Sequence, residues 1–321
     1  LLYQRITTPS QRIDLISERA NAVQFFCEER GTRTAIRIAL KQLPDIERAL
    51  SRLALGRGGP RDLVAIANGT MQAIKVSQLL SEKSLPSLLS SINPDLVGHD
   101  LLSNELTTAL ISNPPILTRD GGFIDTGYSD DLDEVRVLRD EARLIIAKMQ
   151  SDYSILAEIS SLKIKHNNVL GYFIETTAAH AQRMLAPSLS ETFIHRQTTA
   201  NAVRFTTIKL GELETKILNA AGKTISLEQE IFNHLKEMVL SNAPSLQLLS
   251  TAIAEIDVAS ALSELAVSES WVKPKINNGR GFIIDQGRHP VVESALKNQS
   301  SSVFVANDCT LNSNDESIWL L

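Results

Sequence analysis

The residues best placed for chemistry are the cations Lys163, Lys165, Arg183, Arg196, Arg204 and Lys209. Between Ser161 and Lys209 they meet only the acids Glu175 and Glu191, a net +4 in a chain whose formal charge is −5, which leaves −9 elsewhere. Lys, Arg and Asn side chains, with strand amides, neutralise and hydrogen-bond phosphates without reading bases. A basic patch on an acidic body is therefore a candidate grip on a phosphate backbone. The alternative is a solvated face, because mixed surface charge is ordinary. His166 and His195 lie in the same stretch and are further candidate donors to phosphate.

Other chemistry has little support. Asp130, Asp131, Asp133 and Glu134 stand where a helix begins, and there negative charge complements the helix dipole, so they read as structural. The histidines at 99, 166, 180, 195, 234 and 289 show no metal-ligand spacing, and His289 reads as a hydrogen-bonded residue in a turn before a strand. Cys27 and Cys309 read as two reduced thiols. No GxxxxGK[ST] loop is present, and Gly56-Arg57-Gly58-Gly59-Pro60 lacks the preceding strand of a phosphate loop, so it reads as a turn between helices.

The elements that must position the basic stretch are helical. Thr8-Pro9-Ser10-Gln11 predicts a helix from near Pro9, and Pro-led starts recur at Pro44 and Pro60. Residues from Asn113 to Tyr128 read as a loop. Val135, Leu138, Ala142, Ile145 and Met149 form a heptad seam that breaks at Asp152 and resumes at Leu156 and Ile159. A second seam runs Leu210, Leu213, Ile217, Ala220, Thr224, Leu227, Ile231 and Met238, with Leu235 filling the missing step. Paired helices of about 30 residues make an arm on the order of 45 Å long. The roughly 50 residues between the seams far exceed an ordinary helix connection. Their alternating, β-branched and aromatic runs at Leu162–Lys165, Tyr172–Thr176, Phe193-Ile194 and Val203–Ile208 predict a small β module at the arm tip. Another helix follows through Leu248, Ala252, Ile256, Ala259 and Ala266. From Trp271 the texture changes to short apolar runs, Phe282–Ile284, Val291-Val292, Val303–Val305 and Ser317–Leu321, which suggest a further domain cut off mid-strand.

At 321 residues, 43% hydrophobic and 21% charged, the chain fits about two globular domains and excludes disorder, collagen and a disulfide miniprotein. No apolar run approaches the roughly 18 residues of a membrane helix, and the N-terminus lacks signal-peptide features, which predicts a cytoplasmic protein without a membrane partner. The absence of an initial Met suggests a fragment.

Five stretches in order resemble the MutS family of DNA mismatch-repair ATPases: Leu43–Leu63, Arg119–Glu134, Ser161–Glu175, His195–Phe205 and Gly287–Glu293. The resemblance implies a mainly α fold: a helical core with long paired arm helices, a small β-rich clamp module inserted at the arm tip, and the truncated start of an α/β ATPase domain. The expected divisions are a discontinuous core and lever at 1–160 and 210–270, a clamp at 161–209, and the beginning of the ATPase domain at 271–321, ending before the phosphate loop.

Carried over by the resemblance, Lys163, Lys165, Asn167, Arg196, Asn201 and Arg204 look like DNA contacts, beside the candidates His166 and His195. His195 and Ala200 stand where many relatives carry a cation, a difference expected to lower the salt slope of DNA binding by up to about two. Phe304 looks like the aromatic that stacks on adenine, with the Val305 backbone beside the base. The parent protein is expected to use ATP and Mg, encircle mismatched duplex as a homodimer, couple nucleotide state to DNA grip through the lever, and meet downstream repair proteins in the bacterial cytoplasm, associated with the nucleoid. The chain alone is expected neither to bind those cofactors well, nor to hydrolyse ATP, nor to recognise a mispair. A coiled-coil scaffold without DNA affinity is the competing reading, and a paralogue acting on recombination structures is disfavoured by the clamp insert.

Overall fold

Apolar residues at helical spacing fold most of the chain into helices, and most of those in the first half share one principal core with two helices of the second half. The computed structural model describes residues 1–167, 169–299 and 303–311. Seven helices come first: α1 (Leu2–Thr7), α2 (Ile13–Glu28), α3 (Arg30–Lys41), α4 (Ile46–Ala54), α5 (Pro60–Ser81), α6 (Ser87–Ile92) and α7 (Asp100–Ala109). The long helix α8 (Asp130–Ala157) leads into β1 (Lys163–Asn167), β2 (Gly171–Thr177), α9 (Ala178–Met184), α10 (Pro187–Ser190), β3 (Ile194–Thr198) and β4 (Ala202–Thr206). The chain returns through α11 (Ile208–Ser241) and α12 (Ala243–Ser268), then β5 (Phe282–Gly287), α13 (Pro290–Gln299) and β6 (Asn307–Leu311). This is the mainly α fold with a small β module that the sequence leads one to expect.

The principal core gathers Phe26, Ile36, Leu63, Leu106 and Phe123 from the first half with Phe232, Leu235 and Ile256 from α11 and α12. Asp45 caps α4 by accepting from the Arg48 amide at 2.9 Å, and Pro60 opens α5, as their sequence positions suggest. Helix α2, however, starts at Ile13 and not near Pro9. The Thr8 hydroxyl donates back to the Gln4 carbonyl at 2.7 Å and closes α1, so Pro9 acts as a stop after that helix.

The arm is α8 packed along α11. At about 1.5 Å per residue, 28 and 34 residues extend roughly 42 and 51 Å. Both seams follow the sequence reading in part, at Val135 and Met149 of α8 and at Leu210, Leu213, Ile217, Thr224 and Leu235 of α11, and depart from it elsewhere. Helix α8 runs unbroken through Asp152 and ends where Glu158 turns left-handed at φ 49°, so Ile159 lies beyond the helix. Leu132, Val135 and Tyr153 are buried and Ile146 and Met149 pack inward, whereas Ile145 and Leu156 are exposed. The side chains of Leu138 and Ala142 lie outside the described residues. On α11 the buried line is Leu210, Leu213, Ile217, Thr224, Glu228, Phe232, Leu235 and Val239, while Leu227, Ile231 and Met238 pack at its margin. The fitted heptads therefore slip by one residue over part of each helix, as a straight 3.6-residue helix drifts from a 3.5-residue repeat.

At the arm root, Glu228 is fully buried and accepts from the Gly122 amide at 2.6 Å and from Arg136 at 2.8 Å. Gly122 holds φ +74°, a backbone state that a side chain would strain. Arg136 also donates to Asp133 and to the Ile124 carbonyl, and Asp133 accepts from the Gly127 amide. Ser129 caps Leu132, and of the acids expected to be structural Asp133 makes these bonds while Asp130 and Asp131 stand beside it in the first turn of α8.

Helix α12 corrects one expectation. Over 26 residues its best window reaches a mean hydropathy of 1.2, so by length and composition it is apolar enough to cross a membrane. Here Leu246, Leu249, Ile253 and Ile256 fill the principal core, and Leu248, expected inside, is exposed. In the last segment, β5 and β6 form a two-stranded antiparallel sheet. Val291 and Val292 belong to α13 and not to a strand, because Pro290 starts a helix whose Val292 amide donates to His289 Nδ1 at 3.3 Å. Val303–Val305 is irregular, and Ser317–Leu321 lies outside the described residues.

Candidate nucleic-acid interface

Between the arm helices, β1–β4 form one antiparallel sheet in the order β1-β2-β4-β3. Its reverse face is apolar. Ile174, Val203 and Phe205 join Phe193, Met184 and Leu162 in a second core closed by Tyr153 of α8 and Leu210 of α11. Phe193 and Phe205 are fully buried, each contributing about 1.5–3 kcal/mol. The Tyr153 and Thr207 hydroxyls meet at 2.7 Å, and Thr207 accepts from the Leu210 amide, which fixes where α11 leaves the sheet. The short helices α9 and α10 cover this core and were not anticipated, since seven and four residues are too few for a helical period to show.

The β1–β2 hairpin sets the register. Asn167 Oδ1 accepts from the amides of Val169 and Leu170 at 3.0 and 2.7 Å, and Gly171 completes the turn at φ +68°. A Cβ on Gly171 would fall on the Glu214 carboxylate, which accepts from the Tyr172 amide at 3.2 Å. Lys165 therefore stands opposite Phe173, Lys163 opposite Glu175, and Glu175 opposite Arg204. Strand alternation puts Lys163, Lys165, Asn167, Glu175, Gln197 and Arg204 on one face.

A polar chain crosses that face through all four strands. Lys165 Nζ donates to Glu175 Oε1 at 2.6 Å, Arg204 Nε to Glu175 Oε2 at 3.1 Å, and Arg204 Nη1 to Gln197 Oε1 at 2.9 Å. The Arg204 guanidinium lies 4.6 Å from the ring centre of Phe173, which is buried on this polar side. The hydrogen bond from Lys165, followed by that from Arg204, holds the Glu175 carboxyl below the usual carboxylate range against the opposing effect of burial. Arg196 sits at a bulge in β3, between His195 opposite Phe205 and Gln197 opposite Arg204. Among the described residues, neither Lys163 nor Arg196 has an ion-pair partner.

The remaining sequence candidates are dispersed. Asn201 is exposed in the turn between β3 and β4. His166 and His195 lie on the reverse side. The His166 ring is 4.8 Å from Tyr172, while His195 is 5.9 Å from Phe205 and bonds Thr198 at 2.9 Å. By sequence Glu175 counts only as an acid, and nothing in composition or spacing marks Gln197 or Phe173. The signal available was the Asn167–Gly171 turn, whose register places Glu175 between two cations. Phe304 is half-buried in the segment before β6, and the exposed Val305 accepts through its carbonyl from Asn307 Nδ2 at 3.2 Å.

Cys27 and Cys309 are free, and burial pushes the Cys27 thiol up. Among the described residues no group of three or more His, Cys, Asp or Glu side chains could hold a metal. Phe304 is the aromatic that the resemblance assigns to a base, but the described residues supply neither a phosphate loop nor a group of metal carboxylates, so they do not by themselves fit a nucleotide–metal pair.

The sequence model of the family described as MutS domain III matches residues 1–263. Proteins named DNA mismatch repair protein MutS are similar throughout: that of Roseobacter denitrificans is 50% identical over 100% of this chain and 37% of its own length. The one from Dinoroseobacter shibae is 52% identical over 100% of the chain and 36% of its own length, and that of Ruegeria pomeroyi is 52% identical over 97% and 36%. The chain thus spans about a third of the length of these relatives. With 263 of its 321 residues matched, the chain belongs to the MutS family.

Proposed function

We propose that this chain supplies the lever and the DNA-backbone clamp of a mismatch-repair protein. The observation that carries the reading is the placement of Lys163, Lys165 and Arg204 on one sheet face, beside Arg196, at the end of paired helices rooted in the helical core. Cations on a sheet present charge to phosphates and no base-edge pattern, which suits contact that is independent of sequence. In this reading 161–209 is the clamp, 1–160 and 210–270 the core and lever, and 271–321 the start of the ATPase domain. Recognition of mismatched DNA, ATP and Mg use, homodimer formation and contact with downstream repair proteins belong to the whole bacterial protein, working in the cytoplasm on the nucleoid. Phe304 and Val305 are the proposed adenine contacts, and no catalytic step is assigned to this chain.

The test is fluorescence anisotropy of a labelled duplex at low and moderate salt, comparing the chain with its Arg196→Glu, Arg204→Glu variant. Binding should fall steeply with salt and vanish in the variant. Salt-insensitive self-association without DNA affinity would instead support the scaffold reading, for which the outward Val137, Leu144 and Ile155 of α8 and Leu218 of α11 offer apolar surface.

A further inference from the structure

We propose that Glu175 is a counter-charge built into the gripping face, which limits its hold on a phosphate backbone and keeps that hold reversible. The inference rests on the clamp reading and concerns the strength of its contact. Glu175 is on the inner strand β2, with Lys165 on β1 at one side and Arg204 on β4 at the other. Those flanking strands lie about 9.5 Å apart, two strand spacings. One carboxylate oxygen serves each cation, so a single negative charge is shared between the two innermost positive ones.

The arrangement is fixed. Arg204 is held on its other sides by Gln197 and Phe173, and cannot swing away from Glu175 without losing both. A phosphate reaching this face must displace or share the carboxylate's hydrogen bonds and approach its negative charge. Lys163 and Arg196, without counter-ions among the described residues, carry the first contact, while Lys165 and Arg204 contribute at reduced strength. A purely structural Glu175 would only tie the strands together, and a neutral amide there would leave the salt dependence of binding unchanged.

The test is duplex anisotropy over a salt series with the chain and its Glu175→Gln and Gln197→Glu variants, each checked for folding by circular dichroism. Each phosphate contact adds about 0.9 to the slope of log K against log salt. Glu175→Gln should steepen that slope by about one and tighten binding on the order of tenfold near 50 mM salt. Gln197→Glu, which adds a carboxylate beside Arg204, should flatten it, and this variant carries the test if Glu175→Gln does not fold. Unchanged slopes in both, with binding still abolished by Arg196→Glu, Arg204→Glu, would overturn the attenuation and leave the clamp standing. No duplex binding by the unmodified chain at low salt would overturn the clamp reading itself.

Discussion

Arg136 of α8 and Glu228 of α11 meet at 2.8 Å at the base of the arm, with Glu228 wholly excluded from solvent. The same carboxylate receives the Gly122 amide, so one buried charge ties both arm helices to the loop that enters them. Removing one member of a buried pair leaves the other uncompensated, at a cost of about 3–5 kcal/mol. Arg136→Ala, which leaves the Glu228 charge buried without its cation, should therefore lower stability by about 3 kcal/mol or more, read by denaturant unfolding, whereas Glu228→Ala, which leaves Arg136 on Asp133, should lower it less. A loss below about 1 kcal/mol in Arg136→Ala would contradict this role for the pair.

Gly171 combines a left-handed backbone with close approach to Glu214. Gly171→Ala should cost about 1–2 kcal/mol for the backbone state alone, with further loss as Glu214 yields its bond from the Tyr172 amide. Thermal unfolding checks this, and Glu214→Ala in the same background should recover none of the backbone penalty.

Arg204→Lys is not a conservative change here. A lysine keeps the charge but cannot hold Glu175 and Gln197 together through a planar fork while stacking on Phe173. The variant should bind duplex more weakly than the unmodified chain at equal net charge, and the salt series described above would show it.

Two groups contribute to the pH dependence of stability at opposite ends. The Glu175 carboxyl is lowered in the fold, so its contribution is present above the ordinary value of about 4.3 and is lost as pH falls through the lowered one. Glu175→Gln should flatten that acid limb. Burial, and then the hydrogen bond to Glu105, push the Tyr128 phenol up to about 12. Its contribution is complete below the ordinary value of about 10 and is lost as pH rises towards 12. Unfolding midpoints of Tyr128→Phe should lack that alkaline decline.

The long helices and the β insert were legible because apolar residues recur over many turns in α8 and α11, and because β-branched runs interrupt them. Heptad fitting placed Ile145 and Leu156 inward, since a 3.5-residue template cannot register the drift of a straight helix. Pro9 and the Val291-Val292 pair were misassigned because a proline marks a helix start or stop only through its neighbours' hydrogen bonds, here those of Thr8 and His289. The cations were legible as a group by charge. Their division between faces was not, because strand register depends on the Asn167–Gly171 turn and on the bulge at Arg196.

The polar side of the β1–β4 sheet is the side expected to meet DNA, and neighbouring residues test this. Gln197 lies on the polar face opposite Arg204, whereas Thr198 lies on the reverse side opposite Val203. With Cys27 and Cys309 changed to Ser, a photo-crosslinker at Gln197→Cys should capture duplex DNA at low salt and lose it as salt rises, while one at Thr198→Cys should capture little. Equal or greater capture from Thr198→Cys, or none from either at low salt, would contradict the polar face as the surface that grips the backbone.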